Sequence, residues 1–150
     1  MQISTIVISG APISKARPRF TGKTAYDSQK KAKEYQIIEV MSQKDSWVYH
    51  EGALFMSCLF KMPIPKSLSR KKRELFSESH HSSRPDIDNM VKWVMDLLNG
   101  VAFRDDAQIS ILESQKIYHE EPSTFIKIFE LESTGSGTDT TDTTDTTYKK

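Results

Sequence analysis

The stretch from position 87 to position 101 constrains the fold more than any other, because its apolar residues recur with helical spacing. These residues are Ile87, Met90, Val91, Val94, Leu97, Leu98 and Val101. A stripe with residues three to four apart predicts an amphipathic helix that buries one side against a core. Pro85 favours extended chain before the helix, Asp86 is a good N-cap, and Asn99-Gly100 form a typical end. The sequence therefore predicts a core helix that begins just after Asp86.

Polar residues around this helix carry a second pattern. Asp86 and Asp88 are two apart, so they share one side only if the chain is still extended there. Lys92 lies one helical turn after Asp88, within reach of a phosphate bound beside it. Carboxylate oxygens suit Mg²⁺, and an amine can neutralise charge that develops on a phosphate. The pattern thus favours a metal-dependent phosphodiesterase.

A structural alternative stays open on residue types alone. Asp residues at a helix N-terminus complement the helix dipole, and Asp105-Asp106 are typical of a polar turn. If this second pair begins a strand near Gln108, its side chains point to opposite sides, and one ion cannot easily bind both.

The order of these motifs closely resembles the signature of the RusA-type Holliday junction resolvases. The likeness lies in residues 84–92, 96–100 and 103–109, and a weaker one in the basic segment 10–20. The resemblance implies that Mg²⁺, with Mn²⁺ as an alternative ion, is bound by Asp86, Asp88 and Asp106. It implies that Lys92 is the catalytic cation. Asn89 and Asp105 also match the pattern, which assigns them no definite role.

The resemblance also implies a Mg²⁺-dependent endodeoxyribonuclease, cytoplasmic and encoded by a bacterium or phage, that acts on four-way DNA junctions. It implies a homodimer, since two symmetric phosphodiesters must be cut. Trp93 and Met95 lie off the apolar stripe, so we expect them to contribute to a partner surface. Two alternatives remain: a structural or regulatory DNA-binding protein that does not cut, and a broader structure-selective or RNA nuclease.

Charge is distributed unevenly along the chain. Residues 1–85 carry 15 Lys and Arg against 7 Asp and Glu, whereas residues 86–132 carry 4 against 10. A basic half suits phosphate backbones, although basic clusters also occur as solvated surface. The candidate DNA-binding residues are Lys15, Arg17, Arg19, Arg70, Lys71, Lys72, Arg73 and Arg84.

Local patterns predict one α/β or α+β domain over residues 1–132, with a mixed sheet flanked by helices and an unreadable strand order. We expect strands over 3–10 and 53–62, a short helix over 67–75, and a final strand pair over 108–118 and 123–132. A helix over 28–43 would be capped by Asp27 or Ser28, with Tyr35, Ile38, Val40 and Met41 as apolar contacts. Residues 133–150 repeat Thr and Asp, which predicts a disordered tail.

The remaining motifs support further predictions about single residues and segments. Residues 11–25 read as a loop in which Phe20, among basic residues, either stacks on a DNA base or anchors the loop in the core. Cys58, the one cysteine of the chain, fits a buried core thiol. His80-His81 have no partner at zinc-ligand spacing. No stretch reaches the roughly 20 apolar residues of a membrane span.

Overall fold

The computed structural model describes residues 2–17, 19–22, 24–26 and 28–132. The strands are β1 (Ile3–Ser9), β2 (Arg19–Thr21), β3 (Thr24–Tyr26), β4 (Leu54–Pro63), β5 (Ile109–His119) and β6 (Ser123–Glu130). The helices are α1 (Lys30–Met41), α2 (Arg70–Phe76) and α3 (Ile87–Leu98). A 3-10 turn, Asp106–Gln108, leads into β5. The predicted disordered tail lies outside the described residues.

Four strands form a mixed sheet in the order β1-β6-β4-β5, which confirms the predicted α+β architecture. Strands β4 and β5 are parallel, whereas β6 pairs antiparallel with both β4 and β1. The expected final strand pair was wrong in one respect, because β4 separates β5 from β6. A parallel pair needs a long crossover, and the chain between β4 and β5 supplies it with α2 and α3.

The core lies between one face of the sheet and helices α1 and α3. The predicted stripe of α3 is buried: Met90, Val94, Leu97 and Leu98 are each at most 1% exposed. Alternate residues of β4 face the same core, as its burial pattern shows. Helical and strand periodicities therefore meet on one apolar surface, which fixes the start of α3 against the sheet.

Helix α1 differs from its prediction. It begins at Lys30, with Gln29 at the N-cap position and no side-chain cap, rather than after Ser28; Asp27 lies outside the described residues. Tyr35 and Ile38 are 76% and 69% exposed, and Met41 is also exposed. Polar and apolar residues of α1 are mixed around its axis, so no continuous stripe faces inward, and its buried residues are Gln36 and Val40.

Trp93 was wrongly expected on a partner surface. Its side chain is 4% exposed, and its indole Nε1–H donates a hydrogen bond of 2.8 Å to Gln36 Oε1. This bond joins α3 to α1 inside the protein. Met95 is half-buried and packs against the same core. Trp93 is therefore not available to a partner, whereas the expectation for the partly exposed Met95 stays a prediction.

The segment expected to be a loop contains a short hairpin of β2 and β3. Gly22 lies between these strands with φ +64°, a conformation that glycine adopts without steric cost. Phe20 is 75% exposed, so the expectation that it anchors the segment in the core was wrong. The alternative, contact with a ligand base, stays open.

Two expectations about composition can be compared with the structure. Cys58 is 2% exposed within the core cluster, which confirms it as a buried thiol. Burial raises its pKa to about 12 from the ordinary 9.0, so the reactive thiolate is disfavoured. Within the described residues, no helix has the length and apolar character needed to cross a membrane.

Candidate functional site

Asp86 and Asp88 lie on either side of the point where extended chain becomes helix. Asp86 occupies the N-cap position of α3 with φ −71° and ψ 140°, as the sequence predicts. Its backbone carbonyl accepts a hydrogen bond from Met90 N–H, but its carboxylate makes no capping bond. Capping therefore does not account for this carboxylate, which weakens the structural alternative at Asp86.

The two carboxylates share an open pocket before α3. Both side chains are exposed, and the pocket is also lined by His81, Ser82, Ser83, Arg84, Ile87 and Lys116. Negative oxygens and basic side chains thus lie beside each other on an accessible surface. This combination suits a phosphate that is bound together with a cation.

Lys116 is a residue of this pocket that sequence reasoning missed. Its Nζ donates hydrogen bonds to the carbonyl oxygens of Ser83, at 2.7 Å, and Pro85, at 2.8 Å. These bonds tie strand β5 to the segment that enters Asp86. No local spacing could reveal the contact, because Lys116 lies on a separate strand, 31 positions after Pro85.

His81 lies beside Lys116 at the rim of the pocket. Its ring packs against Tyr118 with centroids 4.7 Å apart, and its Nε2 is 3.4 Å from Ser83 Oγ. The pKa of His81 is lowered mainly by burial and, to a smaller extent, by the positive charge of Lys116. The neutral imidazole is therefore favoured there.

Asp105 forms the turn that precedes β5. Its carboxylate accepts a hydrogen bond of 3.1 Å from Ala107 N–H, while Gln108 Oε1 accepts from Asp105 N–H at 3.0 Å. Gln108 Nε2 in turn donates to the carbonyl of Gly52. This reciprocal capping box gives Asp105 a structural task.

Asp106 has no such capping task and lies among other acids. Burial is the largest cause of the raised pKa of Asp106. A hydrogen bond with Asp105 and the negative charges of Asp105 and Asp96 raise this pKa further. The pKa of Asp105 is lowered, chiefly by the Ala107 N–H and then by the bond with Asp106. The condition under which these neighbours would point to opposite sides is not met, because the pair does not begin the strand: Asp105 is the N-cap and Asp106 the first residue of a 3-10 turn.

The aspartates at the start of α3 and along it therefore fall into two groups. Asp86 and Asp88 lie at its start, whereas Asp96 lies two turns later, about 12 Å from Asp88. The negative charge of Asp96 also acts on Asp106, and the exposed Lys92 lies between Asp88 and Asp96 along the helix. Within the described parts of residues 2–132, no three Asp, Glu, His or Cys side chains meet in a group that could hold a metal ion.

The residues present nevertheless fit Mg²⁺ at the first acidic group. Magnesium is commonly held by one or two carboxylates, with phosphate and water as its other ligands. Asp86 and Asp88 supply two accessible carboxylates in one pocket. The assignment of Asp106 as a third ligand stays a prediction.

The basic segment after β1 reaches this side of α3. Lys15 N–H donates to the carbonyl of Asn89 at 3.0 Å, and Lys15 Nζ forms an ion pair with Asp96. Arg17 is exposed, and Arg19 lies on β2. Lys15 is therefore neutralised within the chain, whereas Arg17 is on the surface.

Helix α2 presents a second basic surface. Ser69 caps it by accepting a hydrogen bond from Lys72 N–H at 3.3 Å. Arg70, Lys71 and Lys72 are exposed. Arg73 instead donates to the carbonyl of Pro65 at 2.9 Å and pairs with Glu120 at 3.0 Å. Three of the four predicted cations thus face solvent, and the fourth is bound by its own chain.

Comparison with known proteins agrees with the motif order. The model of the family "Endodeoxyribonuclease RusA" matches residues 9–129. The chain is also 31% identical over 140 residues to the uncharacterized protein YqaN of Bacillus subtilis (strain 168), a match that covers 87% of this chain and 99% of that protein. The region matched by the family model contains β4, β5, nearly all of β6, α3 and both acidic groups, and the chain belongs to the RusA endodeoxyribonuclease family.

Proposed function

We propose that this protein is a Mg²⁺-dependent endodeoxyribonuclease that resolves Holliday junctions and related branched DNA in recombination, repair or phage DNA processing. The observation that carries the proposal is the pair Asp86 and Asp88, two exposed carboxylates beside a cationic rim in a RusA-family domain. We place this activity on DNA in the cytoplasm.

In the proposed mechanism, Asp86 and Asp88 hold the cation, with Asp106 as the further ligand that the family pattern implies. When bound, Mg²⁺ polarises the scissile phosphate and lowers the pKa of a water, and Mn²⁺ serves as an alternative ion. The exposed ammonium of Lys92 offsets the negative charge that grows on phosphorus in the transition state. Hydrolysis by water leaves a 5′-phosphate and a 3′-hydroxyl.

The proposed DNA surface combines the basic pocket rim with helix α2. Arg84 lies at the rim, and the free cations of α2 are Arg70, Lys71 and Lys72. Exposed Phe20 lies on the hairpin near Arg17 in sequence and suits stacking on an unpaired base. A homodimer would bring two such sites to the two symmetric strands of a junction.

Cleavage of a labelled synthetic four-way junction tests the proposal. We expect product with Mg²⁺, none with EDTA, and loss by orders of magnitude in Asp86→Asn and Asp88→Asn while junction binding persists. Asp45→Asn, at an exposed turn, is a matched charge control. Binding without product under every metal condition would favour a non-cleaving DNA-binding protein instead.

Substitution of Lys92 tests its proposed catalytic role. Lys92→Ala should reduce single-turnover cleavage far more than junction affinity, because one contact among many contributes little to binding. Equal losses in cleavage and gel-shift affinity would make Lys92 a binding residue. Parallel flap, duplex and RNA substrates would show whether the activity is confined to junctions.

The salt dependence of binding tests the surface of α2. Each lost phosphate contact should reduce the logarithmic salt slope by about 0.9 on duplex DNA. We therefore expect a flatter slope for the combined change of Arg70, Lys71 and Lys72 to Gln, and little change for Arg73→Gln. Equal slopes in all variants would show that α2 is only solvated surface.

A further inference from the structure

Leu75 is a large apolar side chain that helix α2 exposes to solvent. It is 77% exposed, the highest value among the large apolar side chains that the structure describes. A single exposed leucine is common on protein surfaces and by itself indicates no function. The helix that carries Leu75 gives it a fixed position, two cationic neighbours and a physical connection to the acidic pocket.

Two residues of α2 fix this helix to the rest of the domain. The guanidinium of Arg73 donates to the carbonyl of Pro65 at 2.9 Å and to Glu120 Oε1 at 3.0 Å. The ring of Phe76 packs edge-on against Tyr118 of β5, with centroids 5.0 Å apart. Arg73 and Phe76 are three positions apart, so they lie on the same side of the helix. The helix is therefore held along this side.

The solvent side of α2 combines Leu75 with two cations. Lys71 and Lys72 precede Leu75 by four and three positions, so both are its neighbours on the helix surface. Helical side chains lean towards the preceding turn, which brings Leu75 over the turn that carries these two residues. Both lysines are exposed as well. An apolar side chain beside cations is the combination with which proteins open a base step and contact the adjacent phosphates.

Ring contacts connect this helix with the pocket that holds the two carboxylates before α3. Tyr118 packs against Phe76, at 5.0 Å, and also against His81, at 4.7 Å between centroids. His81 lines the pocket. Nucleotides follow one another about 3.4 Å apart along a stacked strand, so these two contacts together span about three nucleotides. One DNA strand bound at the carboxylates can therefore pass close to Leu75.

We propose that Leu75 is a wedge that enters the branch point of bound DNA and unstacks a base step near the phosphate to be cut. Branched DNA suits this role, because opening a step costs least where bases are already mismatched or unpaired. The wedge would thus favour branched DNA over a continuous duplex. The inference rests on the proposed function, since it requires branched DNA as the ligand.

Fluorescence of 2-aminopurine, which rises when this base is unstacked, tests the wedge with the full chain. A four-way junction carries the base at the branch point or, for comparison, deep inside one arm, and EDTA withholds the metal. We expect saturating wild type to raise the fluorescence at the branch point only. Leu75→Ala should lose most of this rise while α2 stays intact, since alanine has the highest helix propensity. Leu75→Met should retain the rise.

Two truncations elsewhere are matched controls. Glu74→Ala removes the neighbouring exposed side chain of α2, and Ile38→Ala removes an apolar side chain of α1 that is 69% exposed. Both should unstack the base like wild type. The combined Gln variant of the α2 cations should bind more weakly but reach the full rise at saturation. Leu75→Ala should leave the salt slope of binding unchanged, because leucine carries no charge.

Cleavage with Mg²⁺ is an independent readout. Leu75→Ala should reduce single-turnover cleavage of a fully paired junction about tenfold, which corresponds to about 1.36 kcal/mol. A junction whose branch-point nucleotides are unpaired should restore the rate to near that of wild type, because its bases need no wedge. Circular dichroism and thermal melting would verify that each variant is folded.

Three results would overturn the wedge: no fluorescence rise with wild type, an undiminished rise with Leu75→Ala, or a cleavage loss that unpaired nucleotides fail to restore. Cleavage by wild type without any rise would retain the proposed nuclease and overturn the wedge. A Leu75-dependent rise without cleavage under any metal condition would support the wedge and refute the nuclease. Cosedimentation with anionic phospholipid vesicles, lost in Leu75→Ala while the DNA signals stay unchanged, would assign this surface to a membrane instead.

Discussion

Replacing Lys116 with Met is the sharpest test of how the fold prepares the proposed site. The substitution keeps an unbranched side chain of similar length but removes the ammonium. Two hydrogen bonds, of 2.7 Å to Ser83 O and 2.8 Å to Pro85 O, are then lost. Both carbonyls belong to the segment that positions Asp86.

The structure sets the scale of the effect. A hydrogen bond to a charged group contributes about 1.5–3 kcal/mol, but water can reach the exposed Ser83 carbonyl and replace part of that, whereas the bond to Pro85 is partly buried. We therefore assign about 1–3 kcal/mol to the pair of bonds. If this free energy holds Asp86 in its working position, cleavage should fall about 5- to 150-fold, since about 1.36 kcal/mol is a factor of ten.

Three measurements separate positioning from other roles. Single-turnover junction cleavage across a Mg²⁺ titration should show the lower rate and a higher half-saturating Mg²⁺ concentration. Junction binding in EDTA should change little, because Lys116 is engaged with backbone oxygens. Lys116→Arg should recover part of the activity, since guanidinium also donates to two acceptors. Lys44→Met serves as the control.

Two outcomes would refute this reasoning. If Lys116→Met cleaved like wild type at limiting Mg²⁺, the two hydrogen bonds would be incidental to the site. If binding and cleavage fell in parallel, Lys116 would be a DNA contact rather than a positioning residue.

Three further predictions concern other parts of the chain. Asp106→Asn should abolish most cleavage in single-turnover assays, whereas Asp105→Asn should retain much more, because Asn keeps an acceptor for the turn; the reverse order would overturn the ligand assignment. Trp93→Phe leaves the buried Gln36 oxygen unpaired and should lower the free energy of urea unfolding by about 1–3 kcal/mol, with part recovered by adding Gln36→Leu. Native protein should resist alkylation of Cys58 by iodoacetamide at mildly alkaline pH, where urea-unfolded protein reacts readily; fast native labelling would contradict the raised pKa.

Local sequence patterns determined the elements that depend on interactions between residues close together in the chain. The spacing of apolar residues placed α3 within a residue of its observed bounds, and the proline and aspartate before it placed the extended entry that leaves Asp86 at the N-cap. Strand β4 and the short helix α2 were also predicted, although α2 begins at Arg70, after its Ser69 cap, rather than at residue 67. Each of these features depends on residues fewer than about five positions apart, where periodicity and capping preferences act directly.

Tertiary structure decided the contacts between distant segments. The charge of Asp96 acts on Asp106, Lys116 donates hydrogen bonds to the carbonyls before Asp86, and Trp93 turns inward to Gln36. Strand order also belongs here, since β4 pairs on its two sides with strands that follow each other in the chain. The sequence specifies which side chains are apolar and which need a hydrogen-bond or charge partner. Packing of the whole domain determines which partner each one contacts, because a long-range contact depends on the placement of every element between its two ends.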